Sequence, residues 1–324
     1  MCFRRVSERL KSEVYTMLIE QTRFPVPEIC GDYINVYRPA PDVYEGEDTQ
    51  SFRRGQRYDK WIVNDFDMVK TSDGFWHLIG ITHPAPLDFI DHFHFNTETA
   101  HEAESQLFHA VSKHKTIREC LFTESFDDAK KLLYPKDRPG ERPECWAPDI
   151  TRVGGIYHMI YTPQEMRHAV SDDLYMWNPA QPFFTGSFMM RDPFVFFEDG
   201  TYTMIYVEDD LMFRTSTDFI SWSDPAVFQN NPYGQPVAQE SPCLYKRNGV
   251  YYLLWCIHDG TNSCYDDRTF VFAAETTAGL RNIAPLTIIK GHATVMFDGE
   301  DGQTYAASAY YPENGVNIAP ICWV

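Results

Sequence analysis

Three acidic residues stand at matching places in a repeated stretch of this sequence, and such a set can perform acid–base chemistry. Asp65 and Asp192 occupy the same position of the repeat, and Glu240 directly precedes it in another copy. Carboxyl groups that face one another shift their pKa values apart, so that one can donate a proton while another accepts one. Each acid alone is typical of a turn or a strand start. Their coincidence in one repeat favours a shared functional site.

The repeat itself predicts the architecture. Five copies begin at Asn64-Asp65, Trp146-Ala147, Arg191-Asp192, Glu240-Ser241 and Gly291-His292. Each is an apolar run, an Asp-Gly, Asn-Gly or Gly-Gly turn and an aromatic-rich return strand, which indicates a β-hairpin. The later copies are about 45 to 50 residues apart, the length of a four-stranded propeller blade. We therefore expect an all-β fold, a five-bladed β-propeller, with an insertion in the longer step between the first two copies.

Because the innermost strands of a propeller begin on one face, around a central channel, the repeat also predicts a ring of side chains. Its members are Asp65, Ala147, Asp192, Ser241 with Glu240 just before it, and His292. The return strands lead back to the same face. They add candidate rim residues: His83, Glu208, Asp209, His258 and Tyr310.

Composition limits the class of partner. The chain has 324 residues, of which 44% are hydrophobic and 15% aromatic, as in a globular domain. A net charge of −18 argues against nucleic acid or an acidic membrane surface and favours a neutral ligand. Since no stretch has the length of a membrane helix and the N-terminus lacks the apolar core of a signal peptide, we expect a cytoplasmic protein.

Neither the cysteines nor the histidines form a recognisable metal or disulfide pattern. The eight cysteines, at positions 2, 30, 120, 145, 243, 256, 264 and 322, contain no Cys-x-x-Cys pair, which predicts free thiols. Six histidines lie between positions 83 and 114: His83, His92, His94, His101, His109 and His114. No two have the i, i+4 spacing on a clear helix, so we expect no dedicated metal site there.

The first 58 residues do not follow the repeat. Apolar residues in 6–21 are spaced for one helical face, and four prolines between positions 25 and 41 then predict an extended segment. We expect residues 1–58 to form a short helical and extended strap that closes the propeller, and residues 59–324 to form the catalytic propeller. The N-terminal segment is also a candidate contact for a homodimer.

The combined motifs resemble a known group of enzymes. Asn64-Asp65-Phe66, Trp146-Ala147-Pro148-Asp149, Arg191-Asp192-Pro193, Glu240-Ser241-Pro242 and Gly291-His292 are similar to motifs of the five-bladed β-propeller glycoside hydrolases. Family 43 is the first candidate, because of the Trp-Ala-Pro-Asp block, the Glu-x-Pro motif and the Gly-His pair. The fructosidase group, families 32 and 68, is the second, because Trp61 shortly precedes Asn64-Asp65. Phe66 departs from both patterns, where a proline is expected.

This resemblance implies a hydrolase that cleaves glycosidic bonds of furanoside or pentose-containing oligosaccharides, like an arabinofuranosidase or xylosidase. Glu240 would be the general acid, Asp65 the opposing carboxylate, and Asp192 would bind substrate hydroxyls and tune Glu240. No cofactor is required, although the resemblance implies that His292 helps to hold a calcium ion or a water cluster in the channel. Family 43 implies inversion of configuration and family 32 implies retention, and the sequence does not decide between them.

Candidate substrate contacts complete this hypothesis. They are Trp61, Asn64, Phe66, His83, Trp146, Arg191, Asp209, His258 and His292. Trp61 is the preferred aromatic contact for a sugar face. Two alternatives remain: a retaining β-fructofuranosidase or fructosyltransferase, and a propeller that binds carbohydrate without catalysis.

Overall fold

The computed structural model describes residues 23–85, 102–233, 238–258 and 268–324. Four short strands precede the first blade: β1 (Pro27–Ile29), β2 (Ile34–Tyr37), β3 (Asp42–Val43) and β4 (Arg57–Tyr58). The first blade contains β5 (Trp61–Lys70), β6 (Trp76–Pro84), β7 (Gln106–Ser112) and β8 (Phe126–Asp128). The second contains β9 (Trp146–Val153), β10 (Ile156–Thr162), β11 (Arg167–Ser171) and β12 (Asn178–Ala180).

The other three blades repeat this antiparallel order. The third contains β13 (Arg191–Glu198), β14 (Thr201–Val207), β15 (Leu211–Ser216) and β16 (Ala226–Gln229). The fourth contains β17 (Ala238–Arg247), β18 (Val250–His258), β19 (Arg268–Ala274) and β20 (Thr287–Lys290). The fifth contains β21 (His292–Asp298), β22 (Thr304–Ala309) and β23 (Val316–Trp323), together with β1 and β2. The five-bladed β-propeller expected from the repeat is confirmed.

Each predicted hairpin is the inner half of one blade. In the third blade, Asp199 and Gly200 have φ values of 48° and 78°, and in the fourth, Asn248 and Gly249 have 49° and 80°. Two consecutive residues with positive φ are the requirement of a type I′ turn, which Asp-Gly and Asn-Gly satisfy at low cost. In these two blades the dipeptides therefore set the register that brings the start of the inner strand to the channel.

The hydrophobic core lies between the blades. Blades 1 and 2, for example, bury Ile79 and Leu107 against Met159 and Tyr161, and blades 3 and 4 bury Ile205 against Trp255. A single sheet has two faces to cover, and each face packs against a neighbouring blade, so every blade depends on both neighbours for its stability. The aromatic residues that mark the return strands in the sequence fill these wedge-shaped gaps.

The N-terminal segment closes the ring of blades. β1 pairs with the end of β23, Glu28 opposite Cys322, and β2 pairs with its beginning, Ile34 opposite Ile318. At the end of β2, the Tyr37 hydroxyl donates to Asp128 of the first blade at 2.8 Å. Residues from before the first repeat thus join the last blade to the first. The helix expected over 6–21 lies outside the described residues.

A disulfide bond corrects the prediction that all cysteines are free thiols. Cys30 and Cys322 are bonded, with their Cα atoms 5.5 Å apart. The two residues are 292 positions apart in sequence, and only the pairing of β1 with β23 brings them together. Cys120, Cys145, Cys243 and Cys256 are buried free thiols, as expected.

We expect Cys30→Ser, combined with Cys322→Ser, to lower the free energy of unfolding by about 2 to 4 kcal/mol, because the bond restricts the unfolded chain. Urea denaturation with and without dithiothreitol measures this effect. The reductant should destabilise the wild-type protein and leave the double variant unchanged. Equal midpoints for the two proteins without reductant would contradict the stabilising role of the bond.

Helical structure is scarce in the described parts of the chain. Three single turns of 3₁₀-helix cover Arg118–Cys120, Pro135–Asp137 and Thr277–Leu280. None of the helices in these parts has the length and apolar character needed to cross a membrane.

Candidate active site

The five inner strands bring one short segment each to the mouth of the channel. The leading residues of these segments are Asp65, Ala147, Asp192, Ser241 and Ala293. In the last four the backbone is left-handed, with φ between 41° and 53°, and a break in the strand register accompanies each. These β-bulges turn the chain so that the leading side chain points towards the channel. The cavity between these segments has a volume of about 40 Å³, enough for a few water molecules.

This arrangement corrects one member of the predicted ring. Ala293, not His292, occupies the channel position of the fifth blade. His292 precedes the bulge and pairs with Ala309, just as Glu240 pairs with Cys256 and Arg191 with Val207. The prediction for the fifth blade was therefore wrong by one residue, because the β-bulge follows His292 and places Ala293 at the channel.

The predicted carboxylates are brought together by Ser241. Its hydroxyl donates to Asp65 Oδ1 at 2.9 Å, and its backbone N–H donates to Asp192 Oδ2 at 3.1 Å. Ser241 is therefore a direct link between two blades that are far apart in sequence. The sequence placed it in the ring, but nothing in its motif revealed this bridging role.

Arg191 holds the third carboxylate. Its Nη2 lies 3.2 Å from Glu240 Oε1, and its Nε lies 3.5 Å from Asp192 Oδ2. The side chains of Asp65, Asp192 and Glu240 expose 15%, 6% and 14% of their surface. They are thus mostly withdrawn from water, which strengthens their electrostatic contacts, and none of the three is completely buried.

Burial and mutual repulsion alter the protonation of this set. Desolvation, followed by the charges of Asp192 and Glu240, raises the pKa of Asp65 well above its usual range. Desolvation also raises the pKa of Asp192 to about 6, although Arg191 opposes the change. Groups tuned in this way can exchange protons near neutral pH.

The fifth blade supplies a stacked aromatic pair beside Asp65. The rings of His292 and Tyr310 are 4.9 Å apart and 14° from parallel, and His292 Nε2 lies 3.8 Å from Asp65 Oδ1. The Tyr310 hydroxyl donates to Asn64 Oδ1 at 2.7 Å. Asn64 and His292 were both predicted as substrate contacts, but they are only 6% and 1% exposed. Asn64 instead holds the Tyr310 hydroxyl, and His292 lies against Asp65.

Three predicted sugar contacts are instead core residues. Trp61 is 1% exposed and packs in a cluster with Tyr44 and Phe52. His83 is equally buried, and Phe66 packs between the first and fifth blades. The Trp61 ring has no open face for a sugar, because the residue is 1% exposed and Lys131 Nζ lies 4.4 Å from the ring centre. Phe66 lines the channel cavity, whereas Trp61 and His83 do not belong to its lining, and residue type alone could not predict the burial of any of the three.

The remaining predicted contacts lie nearer the surface. Trp146 is half-buried beside Phe188, with ring centres 5.7 Å apart. Asp209 is exposed in the turn after β14. The backbone of His258 pairs with Ala238 at the end of β18, while its side chain falls outside the described part of the structure.

Two aspartates deeper in the channel were not predicted as site residues. Asp67 Oδ2 accepts the backbone N–H of Ile150 at 2.7 Å, and Asp149 Oδ1 accepts that of Val195 at 3.1 Å. Each carboxylate therefore binds the inner strand of the next blade. Desolvation raises the pKa of Asp67 to about 6, and desolvation and then Asp67 raise that of Asp149 well above its usual range. Their equal positions two residues after Asp65 and Ala147 were the available signal.

We expect the stability of Asp67→Asn to depend on pH. A carboxyl group whose pKa is raised on folding destabilises the fold once pH exceeds its unfolded value, here 3.8, and the penalty is complete above a pH of about 6. From pH 4 to pH 7, the free energy of unfolding of the variant should therefore rise by about 2 kcal/mol relative to wild type. Urea denaturation at both pH values measures this difference.

Asp73→Asn is the matched control for this measurement. Asp73 lies in an exposed turn of the same blade, and its hydrogen bond from Thr71 lowers its pKa. The free energy of unfolding of Asp73→Asn should not rise relative to wild type between pH 4 and pH 7. Parallel pH profiles for wild type and Asp67→Asn would refute the assignment of a raised pKa to Asp67.

The described residues do not fit a directly bound calcium ion. Calcium takes six to eight oxygen ligands, but no group of three or more His, Cys, Asp or Glu side chains in the described ranges is arranged to hold a metal. The carboxylates at the channel are instead occupied by Ser241, Arg191 and backbone N–H groups. An ion held through water by His292 stays a prediction.

Comparison with known proteins identifies the fold. No protein-family model and no curated protein sequence matches this chain. Among solved structures, it is similar to an exo-1,5-α-L-arabinanase from a bovine ruminal metagenomic library, with 16% identity over 81% of this chain and 93% of that one and a TM-score of 0.56. It is also similar to the GH43 β-xylosidase/α-arabinofuranosidase CoXyl43 from a compost microbial metagenome, with 15% identity, 88% and 95% coverage and a TM-score of 0.55.

A third similar structure contains a bound oligosaccharide. It is the Cellvibrio cellulosa α-L-arabinanase complexed with arabinohexaose, with 14% identity over 81% of this chain and 91% of that one and a TM-score of 0.51. At identities this low, the similarities establish a shared fold and leave activity to be argued from the site. The chain has the five-bladed propeller fold of these arabinanases and xylosidases.

Proposed function

We propose that this protein is a glycoside hydrolase that cleaves pentose-containing, neutral oligosaccharides of the arabinan or xylan type. The observation that carries the proposal is the carboxylate set itself. Asp65, Asp192 and Glu240 come from three blades and are linked by Ser241 and Arg191 at one channel mouth. Glycosidic cleavage needs two carboxyl groups on opposite sides of the bond, with different proton affinities.

The proposed roles follow from the motif in which each carboxylate stands, Glu240 in the Glu-x-Pro motif and Asp65 in the first repeat. Glu240 protonates the leaving oxygen, and Asp65 acts from the opposite side, either on water or on the anomeric carbon. The raised pKa of Asp65 makes it a stronger base once it is ionised. Asp192 is fixed by Ser241 and Arg191, and it orients substrate hydroxyls and Glu240.

The choice of a pentose substrate is supported by the solved structures with the same fold and by the charge of the protein. Solved structures with the same fold include an exo-1,5-α-L-arabinanase and a β-xylosidase/α-arabinofuranosidase crystallised with xylotriose. A neutral pentose chain also suits a protein whose net charge is −18, since a polyanion would be repelled.

Purified protein incubated with arabino-oligosaccharides, xylo-oligosaccharides, sucrose and inulin tests this proposal. ¹H NMR of the first product identifies the sugar released and its anomeric configuration. We expect the wild-type protein to hydrolyse a pentose substrate. The double variant, which combines Asp65→Asn with Glu240→Gln, should not hydrolyse it. Turnover confined to sucrose or inulin would replace the proposal with the fructosidase alternative. Turnover by the double variant would overturn the catalytic assignment.

A further inference from the structure

The turn that precedes β13 presents two large apolar side chains beside the carboxylates. Phe188 is 46% exposed and Met189 is 49% exposed. Large apolar side chains that are this exposed on a functional face are informative, because burial would normally be favourable for them. Neither residue belongs to the acid–base set described above.

This turn is held firmly despite the exposure of its tip. Met190 is 1% exposed in the core between the second and third blades, and its N–H donates to Ser187 O at 3.0 Å. On the neighbouring blade, Gln164 O accepts the N–H of Gly186 at 2.8 Å. A Cβ atom at Gly186 would lie 2.6 Å from Met190 Sδ, so the backbone of the turn packs closely against the Met190 side chain. The exposed side chains are therefore presented by an anchored backbone.

Two neighbours fix the Phe188 ring. The Trp146 ring meets it nearly at right angles, 71° between planes, and the Arg142 guanidinium lies 4.9 Å from its centre. Arg142 is itself held by Glu144 at 2.9 Å. An aromatic ring fixed in this way, with much of its surface still open, can pack against the C–H face of a sugar at little cost in conformational entropy.

The turn is coupled directly to the proposed proton donor. Met189 O accepts Arg191 Nη1 at 3.1 Å, and Arg191 Nη2 contacts Glu240 Oε1 at 3.2 Å. One arginine thus joins the apolar turn to the group that would protonate the departing sugar. A ring packed on Phe188 would lie on the side of the leaving group.

We propose that Phe188, with Met189 and Trp146, forms a binding subsite for the neutral sugar unit on the leaving-group side of the cleaved bond. The inference rests on the proposed hydrolase function and extends it, because it states where the chain of the substrate continues. Its ligand is an uncharged pentose ring with one apolar face, and it sets the preference of the enzyme for oligosaccharides over monosaccharide derivatives.

The test compares two substrates of the same glycosyl unit, an oligosaccharide and the glycosyl fluoride, whose leaving group has no ring. Phe188→Ala should lower kcat/KM for the oligosaccharide by about three- to tenfold, mainly through KM, as expected for one lost aromatic contact. The loss for the fluoride should be smaller. Phe188→Tyr, which keeps the ring, should restore the oligosaccharide value.

Phe197→Ala is the matched control. Phe197 is 55% exposed on β13, the strand that follows this turn, and its ring lies 4.4 Å from that of Tyr202. It lies roughly 20 Å along the strand from Arg191. It should leave both substrates unaffected. Equal losses on both substrates with Phe188→Ala, or no loss on either, would overturn the subsite.

Failure of the proposed function gives a different result. If the wild-type protein hydrolyses none of these substrates, binding of the oligosaccharide is measured by NMR titration with wild type, Phe188→Ala and Phe197→Ala. Weaker binding in Phe188→Ala alone would support the subsite while the hydrolase assignment fails. Absence of binding to the wild type would overturn both.

Discussion

Glu240→Gln is expected to lower kcat/KM for an oligosaccharide by a factor of about 10² to 10⁴, the usual contribution of a general acid. Glutamine cannot donate the proton, so the departing sugar must leave as an alkoxide. A dinitrophenyl glycoside needs no such protonation, and its hydrolysis should fall much less. Asp65→Asn should instead lower kcat/KM for both substrates to a similar extent, because Asp65 acts on the other side of the bond.

The leaving-group comparison also assigns the roles independently of the motif. Glu240 Oε1 forms an ion pair with Arg191 Nη2 at 3.2 Å. Burial, followed by the charges of Asp192 and Glu240, raises the pKa of Asp65. If the two roles were exchanged, the strong leaving-group dependence would appear in Asp65→Asn and not in Glu240→Gln. Circular dichroism and urea denaturation of both variants serve as the control for folding.

Arg191→Met is expected to have the largest effect on stability. The side chain is 10% exposed and is the cation between Asp192 and Glu240. Its removal leaves two carboxylates buried beside Asp65 without a counter-charge, a change that typically costs about 3 to 5 kcal/mol. Urea denaturation at pH 7 measures the loss.

The same variant should respond to acid in a defined direction. Arg191 opposes the rise in the pKa of Asp192, so its removal raises that pKa further, and protonation relieves the repulsion. The stability difference between Arg191→Met and wild type should therefore become smaller from pH 7 towards pH 4. Arg191→Lys, which keeps the charge, should lie between the two proteins. A constant difference across this range would contradict the electrostatic role.

The local pattern predicted the inner hairpins because their turns and strands are specified by adjacent residues. Asn248-Gly249 is an example, in which two residues determine a turn. The three carboxylates could also be predicted, because the repeat placed them on one face. The bulge of the fifth blade shows the limit of this reasoning: a shift of one residue separates His292 from Ala293, and composition alone does not mark it.

Contacts between distant segments were not predictable in this way. Trp61 has the residue type of a sugar platform, but its burial depends on Tyr44 and Phe52 from the N-terminal segment. Phe188 lies in a sequence with no distinctive motif, and its exposure beside Trp146 depends on how two blades meet. Packing between blades therefore decides which aromatic residues are available to a ligand.

The Cys30–Cys322 bond has a consequence for where the protein can work. It joins the strand that completes the last blade to the strand it completes, so the seam of the ring is covalent only while the thiols are oxidised. Disulfides persist outside the cytosol and are kept reduced within it. An oxidising compartment would preserve the sealed ring. In a reducing compartment, the seam would depend on strand pairing and packing alone.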